Sequence, residues 1–208
     1  MFAPNRIKKF HSWLLNWYDH KKRDMPWRKN RDPYRILVSE FMLQQSQFKT
    51  VIPYFNKWMS SFPTVKRLAA ASESNVLKHW EGLGYYSRAR NLLKSAIQIQ
   101  KNYSGKVPSS FHEIIKLPGV GRYTAGAVLS IAFDKKVPVL DGNVKRVLSR
   151  LMLLNENGSN KKSETRLWEI MEGLIPEKCC GDFNQALMEL GATICLPQKP
   201  LCVECPLN

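Results

Sequence analysis

Apolar residues recur along this chain at three- and four-residue spacing, and almost nowhere at the two-residue spacing of a half-buried strand. Ile7, Phe10, Trp13, Leu14 and Trp17 share one face of a helix predicted over 6–18. A basic connector, 21–31, separates it from a helix over 34–48 that is apolar on nearly every side and ends in Gln44-Gln45-Ser46-Gln47. Further helical patterns cover 51–60, 65–71, 76–80 after Ser72, 88–101, 111–116, 123–133, 144–154, 163–174 and 183–190. Ser110 and Glu113 have capping-box spacing ahead of one of these, and Asp182 and Gly191 read as start and stop signals of another. The segment 155–162 is polar and reads as a loop. No repeat or low-complexity tract interrupts the pattern. The fold class is all-α.

Composition narrows the function. At 208 residues with 44% hydrophobic content, the chain has enough material for one core or two small lobes. It has no run of 18 apolar residues and no apolar signal core at its start, so neither a membrane span nor an export signal is expected. Its net charge is +15, spread along the chain rather than held in a tail. Such a charge favours a polyanion. No single segment is both basic and sharply amphipathic, which speaks against a membrane surface.

Two glycine turns and two isolated carboxylates carry the candidate chemistry. In Leu117-Pro118-Gly119-Val120-Gly121, Gly119 and Gly121 join two helices by a tight turn and leave the backbone uncovered. Amide groups at the start of the second helix then suit an anion, and on this chain a DNA phosphate. The unit reads as a helix–hairpin–helix. The other turn, Gly82-Leu83-Gly84, precedes Tyr85 and Tyr86 beside Arg88 and Arg90. Aromatic rings next to cations can enter a base stack while the cations hold phosphates, although tyrosines are also ordinary core residues. Glu40 lies in the middle of the apolar helix, with Leu37 and Gln44 on its face. Burial there raises a carboxyl pKa and keeps a proton donor ready, unless an arginine such as Arg28 or Arg35 pairs with it. Asp141 stands just ahead of a helix and is expected to stay ionised; alone it reads as an N-cap as readily as a catalyst. One protonated and one charged carboxylate are what glycosidic-bond cleavage through an oxocarbenium-like state uses.

All five cysteines lie in the last 30 residues. An odd, clustered set argues for metal ligation over a disulfide framework. Cys195, Cys202 and Cys205 are spaced for a metal or an iron–sulfur cluster.

The runs PYRILVSEFMLQQSQ (33–47), GLGYYSRARNL (82–92), LPGVGRYTAGAVLS (117–130) and VLDGNVKRVLSR (139–150) closely resemble adenine DNA glycosylases of the MutY type. These belong to the endonuclease III-like helix–hairpin–helix glycosylases. The resemblance covers nearly the whole chain, without a counterpart of the family's C-terminal domain that reads 8-oxoguanine. It implies a monofunctional base-excision-repair enzyme that flips out adenine mispaired with 8-oxoguanine or guanine and hydrolyses its glycosidic bond. It implies two helical lobes with a DNA cleft between them: a six-helix lobe over 27–136 carrying the hairpin, and a discontinuous lobe of 1–26 with 137–208.

By motif position, Glu40 resembles the acid that protonates adenine, Asp141 the carboxylate that stabilises the sugar cation and Asn143 its neighbour. Gln45 and Tyr85 resemble residues that enter the duplex, with Gln44 beside them; Trp27 and Arg28 resemble a pocket wall. Arg88, Gly119, Gly121 and Lys145 complete the expected DNA contacts. Bifunctional relatives place a Schiff-base lysine where this chain has Tyr123, so hydrolysis by water is expected, with Lys145 the nearby amine. The family's [4Fe-4S] cluster uses four cysteines; three match Cys195, Cys202 and Cys205, and the fourth position falls beyond Asn208. The expected partner is duplex DNA holding a mismatched or oxidised pair, met as a monomer in the bacterial cytoplasm, or in the nucleus or mitochondria of a eukaryote. A G·T mismatch thymine glycosylase on the same fold, or an inactive DNA-binding remnant, are the alternatives; Met42-Leu43-Gln44-Gln45 favours adenine.

Overall fold

The computed structural model describes residues 4–154 and 161–208, and the described residues are helical, without a β-strand. No helix among them is long and apolar enough to cross a membrane. The chain forms two compact units, residues 24–133 and residues 1–23 with 134–208.

The first unit is built on α2 (Pro33–Leu43) and α8 (Arg122–Phe133), which pack together. Asp32 starts α2: its Oδ1 accepts the amides of Tyr34 and Arg35 at 2.8 and 3.0 Å, with Pro33 at the first helical position. Ile36 to Met42 are all buried, so α2 is enclosed on every side. Ala125, Gly126 and Ala127 keep α8 narrow enough to lie in the same core. Around this pair run α3 (Phe48–Ser61), α4 (Val65–Ala69), α5 (Glu73–Trp80), α6 (Ser87–Asn102) and α7 (Phe111–Ile114). Trp58 and Trp80 meet edge to face at 5.5 Å between ring centroids, worth about 0.5–1.5 kcal/mol beyond the area they bury. The Tyr34 hydroxyl donates to the Phe62 carbonyl at 2.8 Å, and that buried phenol is pushed well above its usual pKa by desolvation.

The second unit packs α11 (Cys180–Thr193) against α1 (Pro4–Lys21) and α9 (Gly142–Leu151), with α10 (Lys161–Leu174) beside α9. Phe183 of α11 meets Phe10 and His11 of α1 edge to face. Glu189, only 1% exposed, accepts from the Arg23 guanidinium through both carboxylate oxygens. Losing one partner of so buried a pair costs about 3–5 kcal/mol.

Several expected boundaries move for physical reasons. The segment 44–47 is a turn, not the end of a long helix: α2 stops at Leu43 and α3 begins at Phe48. The capping box at Ser110 does not form, and α7 is a single turn whose start is closed by backbone bonds to the Ser110 carbonyl. Asp182 is not the cap of α11, which begins at Cys180; Asp134 accepts the amides of Cys179 and Gly181 instead. Gly191 does not stop that helix; it lies inside it, where α11 comes up against Asn143. Trp13 is 52% exposed rather than packed, and Leu14 and Tyr18 form the buried edge of α1. The polar segment expected at 155–162 lies largely outside the described residues.

Candidate active-site residues

In the first unit, Glu40 is carried by the middle of α2 and is 5% exposed. Seven of its helix neighbours are buried with it, so its carboxyl has been taken out of water by the fold of the surrounding apolar residues. Trp27 sits in a single 3-10 turn, Pro26–Arg28, buried edge-on against Phe55 at 5.4 Å. Arg35 steadies that turn by donating to the Pro26 carbonyl at 3.3 Å, and its guanidinium lies over the Phe55 ring. Arg28 is half-buried at the end of the turn.

The hairpin needs only one of its two glycines for its own geometry. Gly119 has φ +77°, and a Cβ there would lie 2.8 Å from Asn91 Cβ and 2.9 Å from Phe41 Cε1. Gly121 has no atom within 4 Å of where its Cβ would be, so its backbone stays open to an incoming group. Its carbonyl accepts the Ala125 amide at 2.9 Å, which opens α8. Tyr123 lies half-buried in the first turn of that helix, and Gln44 Nε2 reaches the neighbouring Thr124 hydroxyl at 3.5 Å.

Arg88 is a correction. Expected to hold phosphate, it is 6% exposed and turned inward. Its Nη1 donates to the carbonyls of Phe41, Met42 and Gln44, at 3.1 and 3.0 Å for the first two. Its Nη2 donates to the carbonyls of Leu83 and Gly84 at 3.0 and 3.1 Å, and both reach the Ser46 hydroxyl. Trp80 and Tyr85 rings cover the guanidinium at 5.3 and 5.6 Å. This explains the early end of α2: the last carbonyls of a helix lack intrahelical donors, and Arg88 supplies them. Tyr85, 64% exposed, and the exposed Gln45 flank it; Tyr86 is also partly exposed rather than a core residue. Arg90 is spent on an exposed ion pair with Glu73 at 2.8 Å.

In the second unit, Asp141 caps α9 and is held on both oxygens. Oδ1 accepts the Val144 amide at 2.7 Å, and Oδ2 accepts from Asn143 Nδ2 at 3.0 Å. Asn143 is fixed in turn by Arg146, whose Nη2 donates to its Oδ1 at 2.8 Å and to the Gly191 carbonyl at 2.7 Å. Burial lifts the Asp141 carboxyl above its usual range, against the Val144 amide, Asn143 and the Arg146 charge, which hold it down. A helix start alone predicts the opposite direction. Lys145 points away from this network into an exposed ion pair with Glu164 at 2.8 Å.

Three of the tail cysteines lie in one neighbourhood. Burial raises the Cys205 thiol, and Cys195 and Cys202 are near enough to push it the same way. Arg150 donates to the Cys195 sulfur at 3.4 Å, and Arg146 Nε to its carbonyl at 2.8 Å. Yet among the described residues no group of three or more His, Cys, Asp or Glu is arranged to hold a metal ion. Burial pushes the Cys180 thiol up to about 11, and it donates to the Pro176 carbonyl.

A buried acid in an apolar helix, a glycine hairpin opening a narrow helix and a carboxylate fixed at a helix start together define a helix–hairpin–helix glycosylase fold. The sequence matches the HhH-GPD superfamily of base excision DNA repair proteins over residues 38–173, and the chain belongs to that family. It is 47% identical to the adenine DNA glycosylase of Rattus norvegicus, across 97% of this chain and 41% of that protein. It is also 47% identical to the adenine DNA glycosylase of Buchnera aphidicola from Acyrthosiphon pisum, across 96% of this chain and 57% of that protein. The chain thus spans about half the length of the curated relatives it matches. A thermostable thymine-DNA glycosylase structure superposes with a TM-score of 0.85 at 34% identity, covering 98% of this chain and 94% of that one.

Proposed function

We propose that this protein binds duplex DNA and removes adenine mispaired with 8-oxoguanine or guanine by hydrolysing its glycosidic bond. The observation that carries the reading is Asp141, a carboxylate locked on both oxygens by Val144 and Asn143 at the start of α9. A carboxylate fixed in advance stabilises a developing sugar cation without having to reorient as the charge appears. Glu40 supplies the proton: delivered to N7, it lets adenine leave as a neutral base. Water then adds hydroxide to C1′, and its proton restores the acid. The products are free adenine and an abasic site. Tyr123, a phenol where an amine would be needed, forms no imine with the sugar, so strand cleavage is not part of the reaction.

Adenine as the target is supported by likeness to the adenine glycosylases at 47% identity, against 34% for the thymine enzyme. The thymine reading keeps one point in its favour, since that enzyme matches along nearly its full length. Incubation with duplexes holding A·8-oxoG, A·G or T·G, followed by alkali, tests the choice. Breaks at adenine are expected. Breaks confined to T·G would replace the substrate with thymine, and binding without any break would leave a DNA-binding module.

A further inference from the structure

Three findings converge on Arg88. It is a buried cation, and among the described residues no carboxylate pairs with it; carbonyls and two ring faces take that place. Its acceptors come from two segments far apart in sequence, the end of α2 and the 82–84 turn. And each segment is followed at once by a non-glycine residue in the left-handed region, Gln45 at φ +57° and Tyr85 at φ +47°.

These are connected by geometry. The Gln44 carbonyl belongs to the peptide plane that enters Gln45, and the Gly84 carbonyl to the plane that enters Tyr85. Arg88 Nη1 takes the first and Nη2 the second. The planes leaving the two residues are fixed as well. The Ser46 amide donates to Leu43 at 3.1 Å, and the backbone amide of Arg88 itself donates to the Tyr85 carbonyl at 3.0 Å. Trp80 Nε1 adds a second donor to Gly84 at 3.1 Å. Non-glycine residues rarely hold φ > 0 unless their surroundings over-determine it, and such residues gather at functional sites.

We propose that Arg88 is a positioning residue that holds Gln45 and Tyr85 as a preformed pair, so that both exposed side chains meet the duplex already set for base extrusion. This rests on the reading above in one respect, that these two residues enter the duplex. A rigid fork spanning two segments removes the ordering cost that two free loops would otherwise meet on binding. Lysine keeps the charge but, with one nitrogen, cannot serve both peptide planes.

The test uses a duplex with 2-aminopurine in place of adenine opposite guanine, whose fluorescence rises as the base leaves the stack. Arg88→Lys is expected to slow that rise by about tenfold or more while affinity for matched duplex changes less than about twofold. A wild-type rise that Arg88→Lys leaves unchanged, or an equal loss on matched duplex, overturns the proposal. A rise on this duplex, with no adenine released from a separate A·G duplex, sinks only the adenine reading; no rise in wild type sinks both. Should the variant not fold, nitrogen-15 relaxation of the free wild-type protein decides. Gln45 and Tyr85 are expected near the order parameter of rigid backbone, about 0.85, and values below about 0.6 overturn the proposal.

Discussion

Gly191 of α11 lies so close to Asn143 of α9 that a methyl group on it would sit 2.6 Å from Asn143 Cβ and 3.0 Å from its backbone. The two helices approach here because one of them has no side chain. Asn143 is also the residue that donates to Asp141 Oδ2, so the packing of α11 sets the orientation of the carboxylate.

Gly191→Ala follows directly. In a helix, alanine is favoured over glycine by about 1 kcal/mol, but overpacking against backbone that cannot give costs about 1–3 kcal/mol. Against backbone at 3.0 Å the overpacking outweighs the helical gain, and a net loss of up to about 2 kcal/mol in stability is expected. Adenine release should fall about tenfold or more, since a displacement of this size misaims a fixed group. Thermal melting and single-turnover release measure the two effects. A variant as stable and as fast as wild type would mean that the helices slide apart freely and that Asn143 positions nothing.

Asp141→Asn separates capping from charge. Asparagine keeps an oxygen for the Val144 amide, so the cap survives, while the anion facing the sugar is gone. The rate should fall by more than about 10-fold. The new amide nitrogen cannot accept from Asn143 Nδ2, so one hydrogen bond is lost, and the charge is read from how the stability difference changes with pH. Burial raises the carboxyl pKa in the folded state, so the fold disfavours the ionised form. Below the unfolded carboxyl range, about 4, both states hold the proton and Asp141 costs nothing; as pH rises through the folded value, the cost appears. The variant's melting temperature relative to wild type should therefore rise from pH 3 to pH 7. An unchanged rate would reduce Asp141 to a helix cap.

The helices were legible because their apolar faces recur at helical spacing, and α2 stood out as apolar on nearly every side. The acids were legible too: Glu40 as a lone carboxylate among apolar residues, Asp141 by its place before a helix. What depended on distant partners was hidden. Arg88 reads in sequence as one more cation beside a tyrosine; only folding brings the carbonyls of Phe41 and Leu83 to it. Gly191 reads as a helix stop because its partner, Asn143, is far away in the chain. The upward shift of Asp141 arises from burial, which a helix start does not reveal.

Glu40→Gln tests the proton donor. The amide nearly matches the carboxyl in shape, so the enclosed α2 should tolerate it, but it has no acidic proton for the base. Adenine release should fall by at least about 100-fold, while the dissociation constant for a mismatched duplex changes little. Single-turnover release and fluorescence anisotropy give both numbers. Unchanged turnover would take Glu40 out of the chemistry, and lost binding would make it a residue that shapes α2.

Tyr123→Lys tests the proposal that the reaction stops at hydrolysis for want of an amine at this position. The side chain lies half-buried in the first turn of α8, at the mouth of the hairpin. A helix N-terminus disfavours positive charge, so a lysine there is biased toward the free amine that attacks carbon. After base loss, the amine would add to C1′ of the opened sugar and expel water as an imine, which borohydride reduces to a stable crosslink. Wild type should give little crosslinked product, because the phenol at this position forms no imine and the Lys145 amine is tied to Glu164 at 2.8 Å. The variant should raise the trapped fraction about tenfold or more, with adenine release still measurable. Lys145→Ala in wild type should remove whatever trace remains. If Tyr123→Lys traps no more than wild type while still releasing adenine, the residue does not face the sugar, and the absence of strand cleavage has another cause.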